Sequence, residues 1–350
     1  MTLLAFSRHI LFCLGLAAVS ALVVRAAIDA RVMDRPNDRS AHTLPTPKGG
    51  GIGVVTAFML GIAMLYGFAE FSRLADPYFR GVILAALVIA VVSFLDDLWD
   101  WPFTIKLVAQ FGAAIVAVAS GLYVSELRVP LWGVVELGVA GPVLTVMWIV
   151  YATNAMNFID GLNGLAAGVT LVACLFLAVI AEYQSGWFVY FTAMLLAAGV
   201  AGFLPFNFPR ARIFLGDVGS QFCGFMLAML GVAAARFEHV EMSSLLVPML
   251  LSGVLFDVSF TLIRRAINGD RLTQGHRSHL YQIAHRSGMD ASLVALIHWG
   301  FAALGGLMSM LFVVSPSALK PALPLLLLLP QMIWMAYVVM RARAAEIGRW

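Results

Sequence analysis

Apolar residues along this 350-residue chain collect into blocks of about twenty, each closed by a short polar, glycine-bearing or proline-bearing break. A helix rises about 1.5 Å per residue, so blocks of that length match the hydrocarbon core of a bilayer. They fall at 9–28, 51–69, 79–98, 104–124, 137–157, 163–182, 187–205, 216–235, 243–265, 291–314 and 321–341. Runs this long predict spanning helices rather than a barrel or a single anchor. The fold class expected is all-α: a polytopic integral membrane bundle of about eleven transmembrane helices, forming one domain over residues 1–350. The first block continues to Ile28 and meets a basic loop without a small-residue cleavage site, so it is expected to be retained as a helix. No internal repeat is evident.

An odd number of crossings puts the termini on opposite sides, and the basic residues select the arrangement. With the amino terminus outside, sixteen of the 22 Lys and Arg fall on the inner side and six on the outer. The amino terminus is therefore expected in the periplasm and the carboxyl terminus in the cytoplasm. Charged residues make up only 12% of the chain, about half the soluble norm, and the dispersed net charge of +3 argues against a nucleic-acid partner. Cys13, Cys174 and Cys223 sit inside apolar blocks without the spacing of a disulfide framework or zinc site.

The polar residues are not scattered. Three short runs, FLDDLWDWP, NAMNFIDGLNGLAAG and FNFPRARIFLGDVGS, carry Asp96, Asp97, Asp160 and Asp217, all on the expected cytoplasmic side. An ionisable group at membrane depth is costly and points first to a site. Asp96 and Asp97 offer hard oxygen ligands or a base, or they simply end a helix. Asn154, Asn157, Asp160 and Asn163 recur every three residues, as a polar stripe for a base or phosphate or as glue between helices. Asp217 opens a helix, as a metal ligand or an N-cap, after Asn207 and Phe214. PTPKGGG brings Lys48 with glycines that either approach phosphate or pack closely, and Lys106 is a counter-ion, a phosphate contact or a snorkelling lysine. The longest inner loop, GHRSHLYQIAHRSG, carries His276, Arg277, His279 and His285 for phosphate or sugar contact; zinc lacks a third ligand there.

Taken in order, PTPKGGG, DD followed by KLVAQ, NAMNFIDGLNGLA, FNFPRARIFLGDVGS and HRSHLYQ resemble the polyprenyl-phosphate N-acetylhexosamine-1-phosphate transferases, relatives of phospho-N-acetylmuramoyl-pentapeptide transferase, over about residues 38–290. HRSHLYQ is most similar to members that start O-antigen or related surface glycans. The resemblance implies a multi-pass enzyme of the bacterial inner membrane that moves a sugar 1-phosphate from a UDP-N-acetylhexosamine to a polyprenyl (undecaprenyl) phosphate at the cytoplasmic face, releasing UMP. It also implies Mg2+, with Mn2+ able to substitute, and a homodimer.

By that resemblance Asp217 would ligate the metal, with Asp160 a second candidate; Asp96 and Asp97 would handle the lipid phosphate. Asp160, Asn154 and Asn157 would line the nucleotide site, Asn207 and Phe214 would hold uracil, Lys106 would contact phosphate, and His276 and His279 would form a histidine loop. Relatives commonly carry a second acid where this chain has Asn163, so the charge is lost there. The rival from another class is an ion-coupled secondary transporter using the membrane aspartates, which expects acids near the midplane and two-fold repetition.

Overall fold

The computed structural model describes residues 2–34, 45–68, 77–130, 132–237, 239–271 and 274–348. Arg35, Arg39, Arg73 and Arg349, which entered the charge comparison, lie outside these ranges. Each predicted block contains helix: α1 (Leu3–Ala30), α2 (Gly51–Phe68), α3 (Pro77–Trp99), α4 (Phe103–Ala119), α5 (Ala140–Ile159), α6 (Leu165–Tyr183), α7 (Trp187–Phe203), α8 (Gly216–Ala234), α9 (Leu246–Leu250) with α10 (Ser252–Ile267), α12 (Ala291–Val314), and α13 (Ala322–Leu326) with α14 (Leu328–Ala344). Among the described residues eight helices are long and apolar enough to cross a membrane, counting α13 and α14 as one, while α2 and α4 are shorter apolar helices.

Three features depart from the expected pattern. The block at 243–265 is not one helix: α9 and α10 meet at a 78° bend. Ser252 and Gly253 follow the break, the small pair at which helices commonly kink. The long inner loop contains a further short helix, α11 (Leu280–Arg286), which the apolar pattern did not show. Two short antiparallel pairs add strand to an otherwise helical fold: β1 (Met33–Asp34) with β2 (Thr46–Pro47), and β3 (Glu126–Val129) with β4 (Gly133–Glu136).

The bundle is built around α8, in which every residue from Val218 to Ala234 is buried. Three glycines let neighbours approach it on different sides. Gly219 meets Gly51 of α2, Gly224 meets the Thr153 backbone of α5, and Gly231 meets Val247 of α9. Without a hydrophobic force between helices inside lipid, such small-residue contacts supply the close packing. Peripheral helices instead expose Leu11 and Leu22 of α1, Leu307 and Leu311 of α12, and Ile333 and Met340 of α14, as a lipid-facing surface requires.

The α2–α8 contact leaves no room for a side chain, since a Cβ on Gly51 would overlap the Gly219 backbone. Gly51→Ala is expected to destabilise the protein by about 1–3 kcal/mol, read as a lowered thermal transition in detergent. An unchanged transition would mean that the two helices separate freely.

Candidate active site

Asp96 and Asp97 end α3 but point to different partners. Asp96 accepts from the Trp101 N–H at 2.8 Å, closing the turn into α4, and from Lys106 Nζ at 2.9 Å. Asp97 accepts from the N–H groups of Asp217 and Val218, at 3.2 and 3.0 Å. The residue preceding α8 is Leu215, which makes no side-chain cap, so a carboxylate from another helix fills that role. The amides of this helix start, which would otherwise favour an anion, are thereby occupied from within the protein. Gly216 has φ +74°, and a Cβ there would come within 2.7 Å of Asp97 Oδ2, so glycine is required by conformation and by space. Lys48 lies 4.0 Å from Asp97 Oδ1.

Asp217 stands in the first turn of α8 and is not its cap. Its Oδ2 accepts from Lys106 Nζ at 3.0 Å and from Gln221 Nε2 at 3.1 Å, and Asn157 reaches the same carboxylate. Lys106 thus bridges Asp96 and Asp217 as a counter-ion rather than extending toward the membrane surface. The polar stripe of α5 divides. Asn157, Asp160 and Asn163 face a cavity, whereas Asn154 turns into the bundle and donates to Gln110 Oε1 at 2.6 Å and to the Val150 carbonyl at 2.8 Å. Asn207 is buried and donates to the Ile213 carbonyl at 2.9 Å while accepting from the Gly164 N–H, so it ties two loops together at the cavity wall.

The PTPKGGG stretch packs closely beside this wall. The Pro47 carbonyl accepts from the Phe214 N–H, and the Gly50 and Gly51 N–H groups donate to the Phe214 and Leu215 carbonyls, at 2.8–2.9 Å. A Cβ on Gly50 would overlap the Phe203 ring. The glycines therefore serve close approach, and Lys48 is the member of the stretch that reaches the cavity.

That cavity has a volume of about 510 Å3. It gathers Lys48, Asp97, Asn157, Asp160, Asn163, Asn207, Phe214, Asp217 and Arg277, with Asp34 from β1 as an addition. From α11 come His285, which the sequence also singled out, and Gln282 and Arg286 as further additions. Lys106 and Asp96 stand behind Asp217, and His276 and His279 do not line it. His279 is the N-cap of α11, and its buried ring lies 3.1 Å from Asp257 Oδ1. Asp257 also accepts from the Leu280 and Tyr281 N–H groups at 2.9 and 3.0 Å, fixing the start of α11. Residues about one and two turns later, Gln282, His285 and Arg286, then share the cavity face.

His285 Nδ1 lies 3.0 Å from the Met289 carbonyl, which only accepts, so Nδ1 is a donor there. His276 is held by Ser278 at 2.9 Å. The H-x-x-Q spacing at a helix start, with His and Arg further along one face, is the sequence signal for this wall. Asp257 had a signal too: it is an isolated acid in an apolar block.

Among the described residues no three acidic, His or Cys side chains converge closely enough to enclose a metal. Mg2+ does not require such a cage, because it keeps waters and binds through one or two carboxylates together with substrate phosphates. The donors present fit that mode. Among the described residues the Asp160 carboxylate receives no hydrogen bond. Burial and the negative charges of Asp217 and Asp97 push its carboxyl well above the usual range.

A carboxyl whose folded pKa is raised destabilises the fold when ionised. That cost is absent below about pH 4, where the group is protonated folded and unfolded alike, and it appears as pH rises. Asp160→Asn is therefore expected to raise the thermal transition of the cation-free, substrate-free protein at pH 7.5 by about 2–4 °C, with the difference closing on acidification. A variant no more stable than its parent at pH 7.5 would mean that the carboxylate already has a partner.

Residues 79–235 match the family model described as glycosyl transferase family 4. The chain is 31% identical over 306 residues to a probable undecaprenyl-phosphate N-acetylglucosaminyl 1-phosphate transferase of Bacillus subtilis, covering 87% of this chain and 82% of that protein. It is 33% identical over 312 residues to the decaprenyl-phosphate N-acetylglucosaminephosphotransferase of Mycobacterium tuberculosis, covering 79% and 75%. It is 30% identical over 277 residues to the phospho-N-acetylmuramoyl-pentapeptide-transferase of Acetivibrio thermocellus, covering 73% and 77%. An ion-coupled transporter finds no support among these relatives. The matched segment contains Asp96, Asp97, Asp160 and Asp217, and with the extent of the relatives' similarity it shows that this chain belongs to glycosyl transferase family 4.

Proposed function

We propose that the protein transfers an N-acetylhexosamine 1-phosphate from a UDP-sugar to polyprenyl phosphate, at the cytoplasmic face of a bacterial inner membrane, and releases UMP. The observation that carries this reading is a single cavity holding Asp160 and Asp217 together with Lys48, Arg277 and Arg286. Its volume lies in the range typical of small-molecule sites. Two phosphate-bearing substrates bring negative charge that fixed cations must balance, and the relatives' names give one substrate as a polyprenyl phosphate.

In the proposed reaction an oxygen of the lipid phosphate forms a bond to the sugar-linked phosphorus of the UDP-sugar. The bridging P–O bond breaks, and UMP leaves with the bridging oxygen. Such a transfer depends on positioning and charge neutralisation more than on covalent help. Lys48, Arg277 and Arg286 supply guanidinium and ammonium donors to the phosphates. His285 lines the same cavity, and Phe214 offers an aromatic face beside the base. Asp217 and Asp160 would hold Mg2+, which supplies charge neutralisation on the diphosphate oxygens. Asp97, committed to the α8 amides, orients that helix rather than the lipid phosphate. A phosphate oxygen is already anionic near neutral pH, so attack requires no protein base.

All eleven helical segments are taken as crossings, α9 and α10 together making one broken span. Membrane orientation follows from the excess of Lys and Arg on the side of the cavity. Asn268→Cys is expected to react with an impermeant maleimide only after cells are permeabilised, and Ala318→Cys before permeabilisation. The reverse pattern would invert the assignment.

Purified protein with polyprenyl phosphate, Mg2+ and a panel of UDP-N-acetylhexosamines is expected to release UMP with at least one sugar. Asp217→Asn is expected to lower that rate by about a thousandfold while the thermal transition persists. Absence of UMP across the panel from folded protein would refute the transferase reading, and near-normal turnover by the variant would refute the role of Asp217.

A further inference from the structure

Behind the cavity Lys106 and Gln110 lie one turn apart on α4, facing Asp217 and Gln221, one turn apart on α8. The pairs form two rungs. The charged rung, Lys106 to Asp217, measures 3.0 Å and stands at the cavity; the amide rung, Gln110 Nε2 to Gln221 Oε1, also measures 3.0 Å and lies one turn deeper. Gln221 Nε2 returns to Asp217 Oδ2 at 3.1 Å, and Gln110 Oε1 receives Asn154 Nδ2 of α5 at 2.6 Å. Asn154 is anchored by its second amide hydrogen on the Val150 carbonyl at 2.8 Å.

The sense of every link is set by the charged end. An ionised carboxylate only accepts, so Gln221 must turn its NH2 to Asp217 and its oxygen to Gln110. Gln110 must then present NH2 to Gln221 and oxygen to Asn154. Reversing any one amide would set two donors or two acceptors against each other. Gln110 and Gln221 are each only 2% exposed, so no solvent competes for these bonds, and successive amide dipoles reinforce one another. Lys106 and Gln221 both fall on Oδ2, and Asn157 also reaches this carboxylate, so several contacts restrain its rotation and Oδ1 is the oxygen that neither Lys106 nor Gln221 uses.

We propose that Gln221 and Gln110 are positioning residues, an amide relay across α4, α5 and α8 that holds Asp217 so that it offers one oxygen to a divalent cation. The inference rests on the assignment of Asp217 as a cation ligand. Mg2+ demands near-octahedral geometry at short distances, so a carboxylate free to rotate would bind it less well. Partners behind a metal ligand commonly contribute to affinity without touching the metal.

The test uses the full-length protein in detergent, with Mn2+ alone as probe and its dissociation constant read by electron paramagnetic resonance. Gln221→Met is expected to weaken Mn2+ binding by about tenfold, with a smaller loss for Gln110→Met. The double variant is expected to lose little more than Gln221→Met, because the two amides act through one carboxylate. Affinity for UMP, measured without divalent cation, is expected to stay within about twofold of the parent in each variant. If the methionine costs the fold, Gln221→Ser, which removes the amide and leaves space for water, carries the same expectation. Mn2+ binding that depends on Asp217 yet is unaltered in the glutamine variants would overturn the relay alone. Equal weakening of UMP binding would assign the amides to the fold at large and also overturn it. A parent protein that binds no Mn2+, or binds it equally as Asp217→Asn, would overturn the cation assignment and the relay with it.

Discussion

The Asp97 carboxylate on the first-turn amides of α8 is the joint on which the candidate site depends. It joins the end of α3 to the start of the most buried helix, and both of its oxygens are used at 3.0–3.2 Å. A helix start without a side-chain cap of its own leaves N–H groups to be satisfied, and a carboxylate is the strongest acceptor the chain can bring. Once that bond is made, Asp217 has one place to stand. Lys106 then balances Asp217 and Asp96 together, and the amides behind Asp217 take their direction from its charge. Each polar group is satisfied because its neighbour was placed first.

This order explains why the acids differ in behaviour despite sharing a face of the bundle. Asp96 and Asp97 are consumed by turns, helix amides and lysines. Asp257, far along the chain, does for α11 what Asp97 does for α8, accepting two backbone N–H groups at a helix start. Asp160 alone of the cavity acids named from the sequence has neither a helix nor an ammonium to answer it. Stability argues for filling that position with an amide. On the proposed function, a cation between two phosphates would be the reason to keep a carboxyl there.

Much of this was legible in the sequence, and the limits have physical causes. Helix positions follow from the length of apolar runs, and the three polar runs converge because each lies at a break between helices on one side. The bend between α9 and α10 was hidden, since Leu251 interrupts the helix without interrupting hydrophobicity. α11 is too short and too polar to register as an apolar block. Asn154 looked equivalent to Asn157 because three-residue spacing places both near one face, yet only packing decides which of them meets the cavity. Gln110 and Gln221 were readable in principle as amides one turn from Lys106 and Asp217. A single polar residue in an apolar helix gives no sign of its partner until the helices are brought together.

The two walls of the cavity differ in kind. The wall of carboxylates rides on α3, α5 and α8, whose glycine contacts give α8 no freedom to move without disturbing three neighbours. The wall of Gln282, His285 and Arg286 rides on α11, seven residues long, held at its start by Asp257 and after its end by the His285–Met289 bond. Gln282, His285 and Arg286 stand on the cavity side of α11, whereas Tyr281 of the same helix is buried and donates to the Phe158 carbonyl of α5 at 2.9 Å. The two walls are therefore held by different carboxylates, Asp97 for one and Asp257 for the other, with Tyr281 as a link between them. On the proposed function, substitutions at Gln282, His285 and Arg286 would alter the surface offered to the sugar while the Asp97 and Lys106 contacts around Asp217 stay in place.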